Sequence, residues 1–394
     1  MFELDRGSHF YADQLGQGEE LSGERVHQAT GTMQAAYMRN LPGNGRAYTI
    51  APEQFFELTE RNEMPLNQIP SVNAFGTTYQ ARINNVGIIA ALILDVTATI
   101  SCTIGTGTLT AKAAWPWNVI KRVLVSANGQ NELISVEGMD LRARWLRVYR
   151  NAADNVSSYS GTISNGANAI TLQYVIPFAH DDTTLIGSLY AQSDETYLSL
   201  EIQTATAAEI IATTGNATVD SIAVTVTPHL VFYEIPQVTD GNGNTLIVLP
   251  DLSSLHGLNM IDAPFSNTGD VQTRLLRSAG QLLCVYNRLD SGNAGLSPWT
   301  DLDEIRWEYA GNQRPRRYNP VRPLRSKMAG DYNGDINPRA QHYFLFDFEV
   351  DNPMRDVVYP KGVIDLQTVV AVKSGTSLTN AKQHVVAETL YGGA

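Results

Sequence analysis

The fold of this chain is constrained most where its strand pattern stops and starts again. Ser221 to Pro236, SIAVTVTPHLVFYEIP, is the longest strand-like run, with β-branched and apolar residues alternating at the two-residue period of a half-buried strand. Asp240, Gly241, Asn242, Gly243 and Asn244 follow, residues that tolerate positive φ and turn a chain at little steric cost. A new apolar run, Leu246 to Leu249, begins at once and Pro250 stops it. Two strand programmes joined by a short crossover (Pro236, Gly241, Gly243, Pro250) predict a two-domain all-β chain. The bracketing prolines limit rotation of one half against the other.

Strand-like stretches fill both sides of this crossover. From Thr77 they read YQARI, GIIAALILDVTATISC, GTLTAKAAW, NVIKRVLVSANG and QNELISV; after a polar loop come ITLQYVIPF, TYLSLEIQTA and the long run above. That is about eight, the number a jelly roll needs. SANGQ is a hairpin signal, because Asn-Gly suits a type I′ turn. The second half repeats the logic with VQTRLLRSAGQLLCVYNRL, LDEIRWEYA, QHYFLFDFEV, KGVIDLQTVVAVKSG and QHVVAETLY. We divide the chain into an N-terminal arm (1–76), a first eight-stranded jelly roll (77–238), and a second one with the C-terminal tail (239–394).

The arm differs in texture. Val26, Met33, Tyr37 and Leu41, with Ala29 and Ala36 between them, recur at helical spacing and predict one modest amphipathic helix, weakened by Gly31. Its flanks are loose, so the arm is expected to order on another surface: its own body, a neighbouring subunit or a membrane. A second helix is predicted in EGMDLRARWLRVYRN, with Leu141, Trp145, Val148 and Tyr149 on the packed face. Arg144, Arg147 and Arg150 then form a solvated or salt-bridged outer face. A basic run, Arg314, Arg316, Arg317, Arg322, Arg325 and Lys327, is broken by Pro315, Pro320 and Pro323. It is read as a loop, with at most a short helix over 324–329, that meets a neighbouring subunit or lipid headgroups. Tyr318 is its single aromatic, so base stacking by a single strand is disfavoured.

Composition narrows the function classes. Charged residues make up 17% of the chain, below the usual share of roughly 25%, which suggests a surface that meets other protein. A net charge of -12 argues against a sequence-independent grip on phosphates. Cys102 and Cys284 sit in apolar or Thr-rich runs and are read as buried hydrophobes in a reducing compartment. The N-terminus has acidic residues where a signal peptide would have basic ones. The most apolar window, Val86 to Leu94, is about half the roughly 20 residues of a membrane-spanning helix and is read as a buried strand.

No catalytic or metal constellation emerges. His180, Asp181 and Asp182 bring an imidazole beside two carboxylates, yet consecutive residues point in different directions and no nucleophile motif accompanies them. Asp331, Asn333 and Asp335 open like a calcium loop, but Ile336 and His342 stand where Gly and Glu belong. None of the seven histidines stands two residues from another, so a His-x-His metal sandwich is disfavoured. The expectation is a non-enzymatic chain with no cofactor. A tandem β-sandwich carbohydrate-binding or adhesin module is the alternative to the reading that follows.

NNVGIIAALILDVTATI, WNVIKRVLVSANGQ, LQYVIPFAHDDTTLIGSLYAQSDETYLSLEI, the SIAVTVTPHLVFYEIP to TLIVLPDLSSLHGLN junction and FEVDNPMRDVVYPKGVIDLQTVV occur in one order across most of residues 84–372. Together they resemble the major capsid proteins of tectivirus-like phages, the tailless icosahedral double-stranded DNA phages with an internal membrane. The resemblance implies a double jelly roll whose three copies form a pseudo-hexagonal homotrimer. It also implies neighbouring trimers, pentons and other minor capsid proteins, and internal-membrane lipids as contacts, with no direct nucleic acid. The place of action would be the virion capsid, after synthesis in a host bacterial cytoplasm. The helix of Val26, Met33, Tyr37 and Leu41 would lie on the shell's inner side.

Overall fold

The computed structural model describes residues 47–49, 52–66, 69–72, 74–112, 115–128, 131–149, 156–158, 163–192, 197–239, 245–275, 280–291, 294–309, 313–332, 343–349, 358 and 366–392. The predicted helix of Val26, Met33, Tyr37 and Leu41, and Gly241, Gly243, Asn333 and Asp335, lie outside these residues.

The first half builds eight main strands: β1 (Thr78–Ile83), β2 (Ile88–Thr103), β3 (Ile120–Ala127), β4 (Asn131–Val136), β5 (Val156–Ser158), β6 (Gly166–Pro177), β7 (Leu198–Thr204) and β8 (Thr218–Tyr233). One wall orders them β8, β2, β6, β5; the facing wall orders them β4, β3, β7, β1. Alternation does the sorting. In β2, Leu92, Leu94, Val96, Ala98 and Ile100 are buried while intervening residues are less so, and β8 answers with Ile222, Val224 and Val226. Val123 and Val125 of β3 and Leu198, Leu200 and Ile202 of β7 close the core from the other wall. Each buried Leu, Ile or Val side chain contributes about 1.5–3 kcal/mol on burial. Asn128 sits at φ +53° in the loop of the predicted β3–β4 hairpin.

The second half also builds eight main strands among its described residues: β9 (Leu255–Phe265), β10 (Gly269–Arg274), β11 (Gln281–Ser291), β12 (Leu302–Tyr309), β13 (Gln313–Tyr318), β14 (Tyr343–Asp347), β15 (Leu366–Val372) and β16 (Ala381–Tyr391). Its walls are β9, β16, β11 with β14 on β11, and β10, β15, β12, β13. The two halves share a sheet. β9 runs parallel to β4 through Leu258 with Ile134 and Asn259 with Ser135, so a nine-stranded sheet continues from one sandwich into the other.

Among the described residues, four α-helices decorate the walls: α1 (Pro52–Leu58), α2 (Gly138–Val148), α3 (Ala207–Ile210) and α4 (Arg322–Asp331). The later part of the arm lies on its own body, with Arg61–Pro65 and Ile69–Val72 both pairing β8. The crossover is a small hairpin, Gln237–Thr239 against Thr245–Leu249, to which Ala47–Thr49 adds a parallel strand. Pro236 is half-buried and Pro250 buried at its ends. Leu249 and Leu252 share a compact apolar cluster with Phe55 of α1, Ile88 and Tyr233, which ties arm, crossover and first sandwich together.

The basic run departs from the predicted loop. Gln313–Tyr318 is β13, an edge strand paired with β12 in a register that slips between Trp307 and Tyr309. An edge is where a sheet tolerates Pro315, which has no N–H to donate. The helix after it is longer than expected because Pro323 sits in its first turn, where a missing N–H is harmless.

Candidate functional site

Helix α2 is a first-half element that reaches into the second sandwich. A reciprocal cap starts it: Glu137 and Asp140 each accept from the other's end of the first turn, the Asp140 carboxylate taking the Glu137 N–H at 2.7 Å. Met139, Leu141, Ala143 and Leu146 join the core, and the Arg142 guanidinium lies 4.7 Å from the Trp117 ring. Here the predicted orientation is corrected. Arg144 and Arg147 are buried, whereas Val148 and Tyr149 are 40% and 41% exposed. Trp145 is half-buried and stacks on Tyr149 at 4.1 Å. The arginines turn inward because the second sandwich presents carboxylates to them, from positions some two hundred residues downstream.

Arg147 is gripped on all sides. Its Nε and Nη2 donate to Asp347 at 2.7 and 3.1 Å, Nη2 to Glu349 at 2.7 Å, and Nη1 to Glu388 at 2.7 Å. Arg144 Nε donates to the other Glu388 oxygen at 2.8 Å, and the Tyr286 hydroxyl donates to Glu388 at 2.7 Å. Burial alone would raise the pKa of Glu388, but Arg144 and Arg147 outweigh it and hold that carboxyl well below its ordinary range. The same burial pushes the Cys284 thiol well up, and both cysteines are free and buried, as their apolar contexts predict.

A second knot lies nearer the start of α2. Arg288 Nη2 donates to Glu137 at 2.7 Å, and His384 stands between Asp140 at 3.0 Å and Asp262 at 2.5 Å. Tyr343 donates its hydroxyl to Asp140. Burial would lower the pKa of His384, but Asp140 and Glu137 outweigh it and push it up to about 10, so this ring is an imidazolium with both N–H groups bonded to carboxylates.

His180 belongs to the loop after β6, which leans on the second sandwich. Gly187 permits that approach: its φ is +86°, its carbonyl accepts from the His256 N–H at 3.1 Å, and a Cβ there would meet His256 Cβ at 2.8 Å. His180 Nε2 lies 2.9 Å from Glu349 and the two imidazole rings are 5.7 Å apart. Asp181 accepts from the Thr183 N–H and the hydroxyls of Thr183 and Thr184, knotting the loop, and Asp182 is exposed. The three consecutive residues thus diverge, as predicted.

The basic run is divided. Arg316 donates to the Asp347 carbonyl at 2.6 Å with its guanidinium 4.5 Å from the Phe348 ring, and Arg317 donates twice to Glu304, at 2.5 and 3.0 Å. Arg314 lies in β13. Arg322 and Arg325 are exposed on α4, lining a cleft of about 650 Å³ with Trp299 and Lys373. Asp331 pairs with Lys327 at 2.9 Å within the same helix.

No protein-family model matches this chain, and no curated protein matches it either. Solved structures do. The major capsid protein of Sulfolobus Turreted Icosahedral Virus superposes at a TM-score of 0.61 with 12% identity, over 84% of this chain and 97% of that one. The Faustovirus major capsid protein superposes at 0.53 with 10% identity, over 93% and 97%. The fold is the double jelly roll of viral major capsid proteins. In this double jelly roll the sequence missed Asp347, Glu349, His256 and Glu388, which join Arg144, Arg147 and His180. Part of the signal was present: Asp347 ends the otherwise apolar strand YFLFD and Glu388 follows the apolar run VVA, whereas His256 in SSLHGLN gave none.

Proposed function

We propose that this chain is the major capsid subunit of an icosahedral virus, with three copies forming a pseudo-hexagonal trimer that tiles the shell. The observation that carries this is the fixed pairing of two eight-stranded sandwiches, locked by the β4–β9 junction and by the ion pairs of α2. Three such subunits present six similar corners; a flexible pair would not. The low charged fraction supports extensive protein contact, and obligate interfaces of that kind bury about 2,000–5,000 Å² or more.

The finer reading is a tailless phage with an internal membrane. The -12 net charge supports it, because a shell touching packaged DNA would need surplus positive charge. The arm helix of Val26, Met33, Tyr37 and Leu41 would face the membrane side. Arg314, Arg322 and Arg325 would meet a neighbouring subunit, while the intramolecular bonds of Arg316 and Arg317 brace the edge that presents them. Pro236, Gly241, Gly243 and Pro250 would hold the sandwiches at the angle the outline requires. Pentons, other minor proteins and adjacent trimers would be the remaining partners, and the bacterial cytoplasm the site of assembly. Light scattering on the purified chain tests the core of this reading: a stable trimer supports it, and a monomer at micromolar concentration contradicts it.

A further inference from the structure

His180, His256 and Glu388 converge at the boundary of the two sandwiches, from the β6 loop, β9 and β16 respectively. His256 Nε2 lies 3.0 Å from Glu388 Oε1 and His180 Nδ1 lies 4.0 Å from the same oxygen. All three potential ligand atoms fall within 4.8 Å of one another. A tetrahedral ion with bonds near 2.0–2.1 Å separates its ligands by roughly 3.3 Å, so a small rotation of His180 closes the set.

The hydrogen bonds at the far side of each ring carry the argument. His256 Nδ1 lies 3.2 Å from the Pro177 carbonyl and Nε2 lies 3.0 Å from the Glu388 carboxylate; both neighbours accept, so an ion arriving at Nε2 displaces the proton there and the Pro177 carbonyl takes the Nδ1–H of the bound form. His180 Nε2 faces the Glu349 carboxylate, which leaves a lone pair on Nδ1. That Nδ1 is buried and has no hydrogen-bond partner among the described residues. With the proton on the outer nitrogen of each ring, held by the acceptor behind it, both imidazoles turn a lone pair toward one carboxylate oxygen, the arrangement in which histidines bind metal.

We propose that His180, His256 and Glu388 bind a divalent cation of the zinc class, which staples the β6 loop of the first sandwich to β9 and β16 of the second. Two nitrogen donors favour zinc, cobalt or nickel over calcium or magnesium, which take oxygen ligands. His180 is 15% exposed and provides the entry side, and a water completes the coordination. Arg144, bonded to the same Glu388 oxygen, fixes that ligand in place. The site is independent of the assembly reading and holds for a monomer as for a trimer.

The test uses the full chain, stripped with EDTA, then titrated with zinc sulfate by calorimetry and with cobalt chloride by visible absorption. One equivalent of zinc should bind and raise the thermal unfolding midpoint, and cobalt should give the intense visible bands of a tetrahedral site. Glu349→Gln, which loosens the orientation of His180, should weaken binding by about 10- to 100-fold. His180→Ala, at the exposed rim, should weaken it further. Absence of saturable binding overturns the proposal, as does zinc affinity unchanged in both variants, which would place the ion elsewhere.

Discussion

At the residue scale the molecule is defined by charges placed where hydrophobic residues would ordinarily sit. Removing one partner of a buried ion pair leaves the others uncompensated, which costs about 3–5 kcal/mol. Arg147 faces three carboxylates, so Arg147→Met should lower unfolding free energy by about that amount in urea titration. A pH signature follows from His384, which faces Asp140, Asp262 and Glu137 with Arg288 and Lys382 nearby. Its folded pKa, about 10, exceeds the unfolded value near 6.5, so its contribution is complete below about pH 6.5 and is lost as pH rises through about 10. Stability measured across that window should decline, and His384→Gln should flatten the decline. These charges explain why the site was poorly legible. Helical periodicity located α2 and grouped its arginines, but the direction of that face depends on Asp347, Glu349 and Glu388, whose proximity no local pattern records.

At the element scale, legibility followed the strength of alternation. β2 and β8 carry long, strict apolar alternation and form the paired strands their sequence predicts, from Thr103 with Thr218 to Ile88 with Tyr233, with the register slipping between Val219 and Ser221 and between Val231 and Phe232. β13 did not announce itself, because its arginines and Pro315 read as loop until an edge position and partners such as Glu304 are supplied. The β6 loop illustrates a third case, where one glycine decides a contact between sandwiches. Gly187 occupies left-handed φ with no room for a Cβ. Gly187→Ala should destabilise the chain by about 1–3 kcal/mol, read by chemical unfolding. A neutral result would mean that the loop does not dock as described.

At the scale of the whole molecule, the claim is that two sandwiches move as one block. The β4–β9 junction joins their sheets, the α2 ion pairs cross between them, and the crossover hairpin packs with α1 against the first sandwich. The strand programme made the two halves legible from sequence, and the bracketing prolines predicted restricted rotation between them; the contacts that join the halves were not legible, since they pair residues far apart in the chain. If the arm acts beneath the shell, deleting residues 1–40 should leave soluble trimers and reduce particle assembly, and intact particles from the truncated chain would refute that role. The central claim is tested most directly by electron microscopy of the purified oligomer. Class averages should show a hexagonal outline with threefold symmetry; single two-lobed particles, or an oligomer of another symmetry, would contradict it.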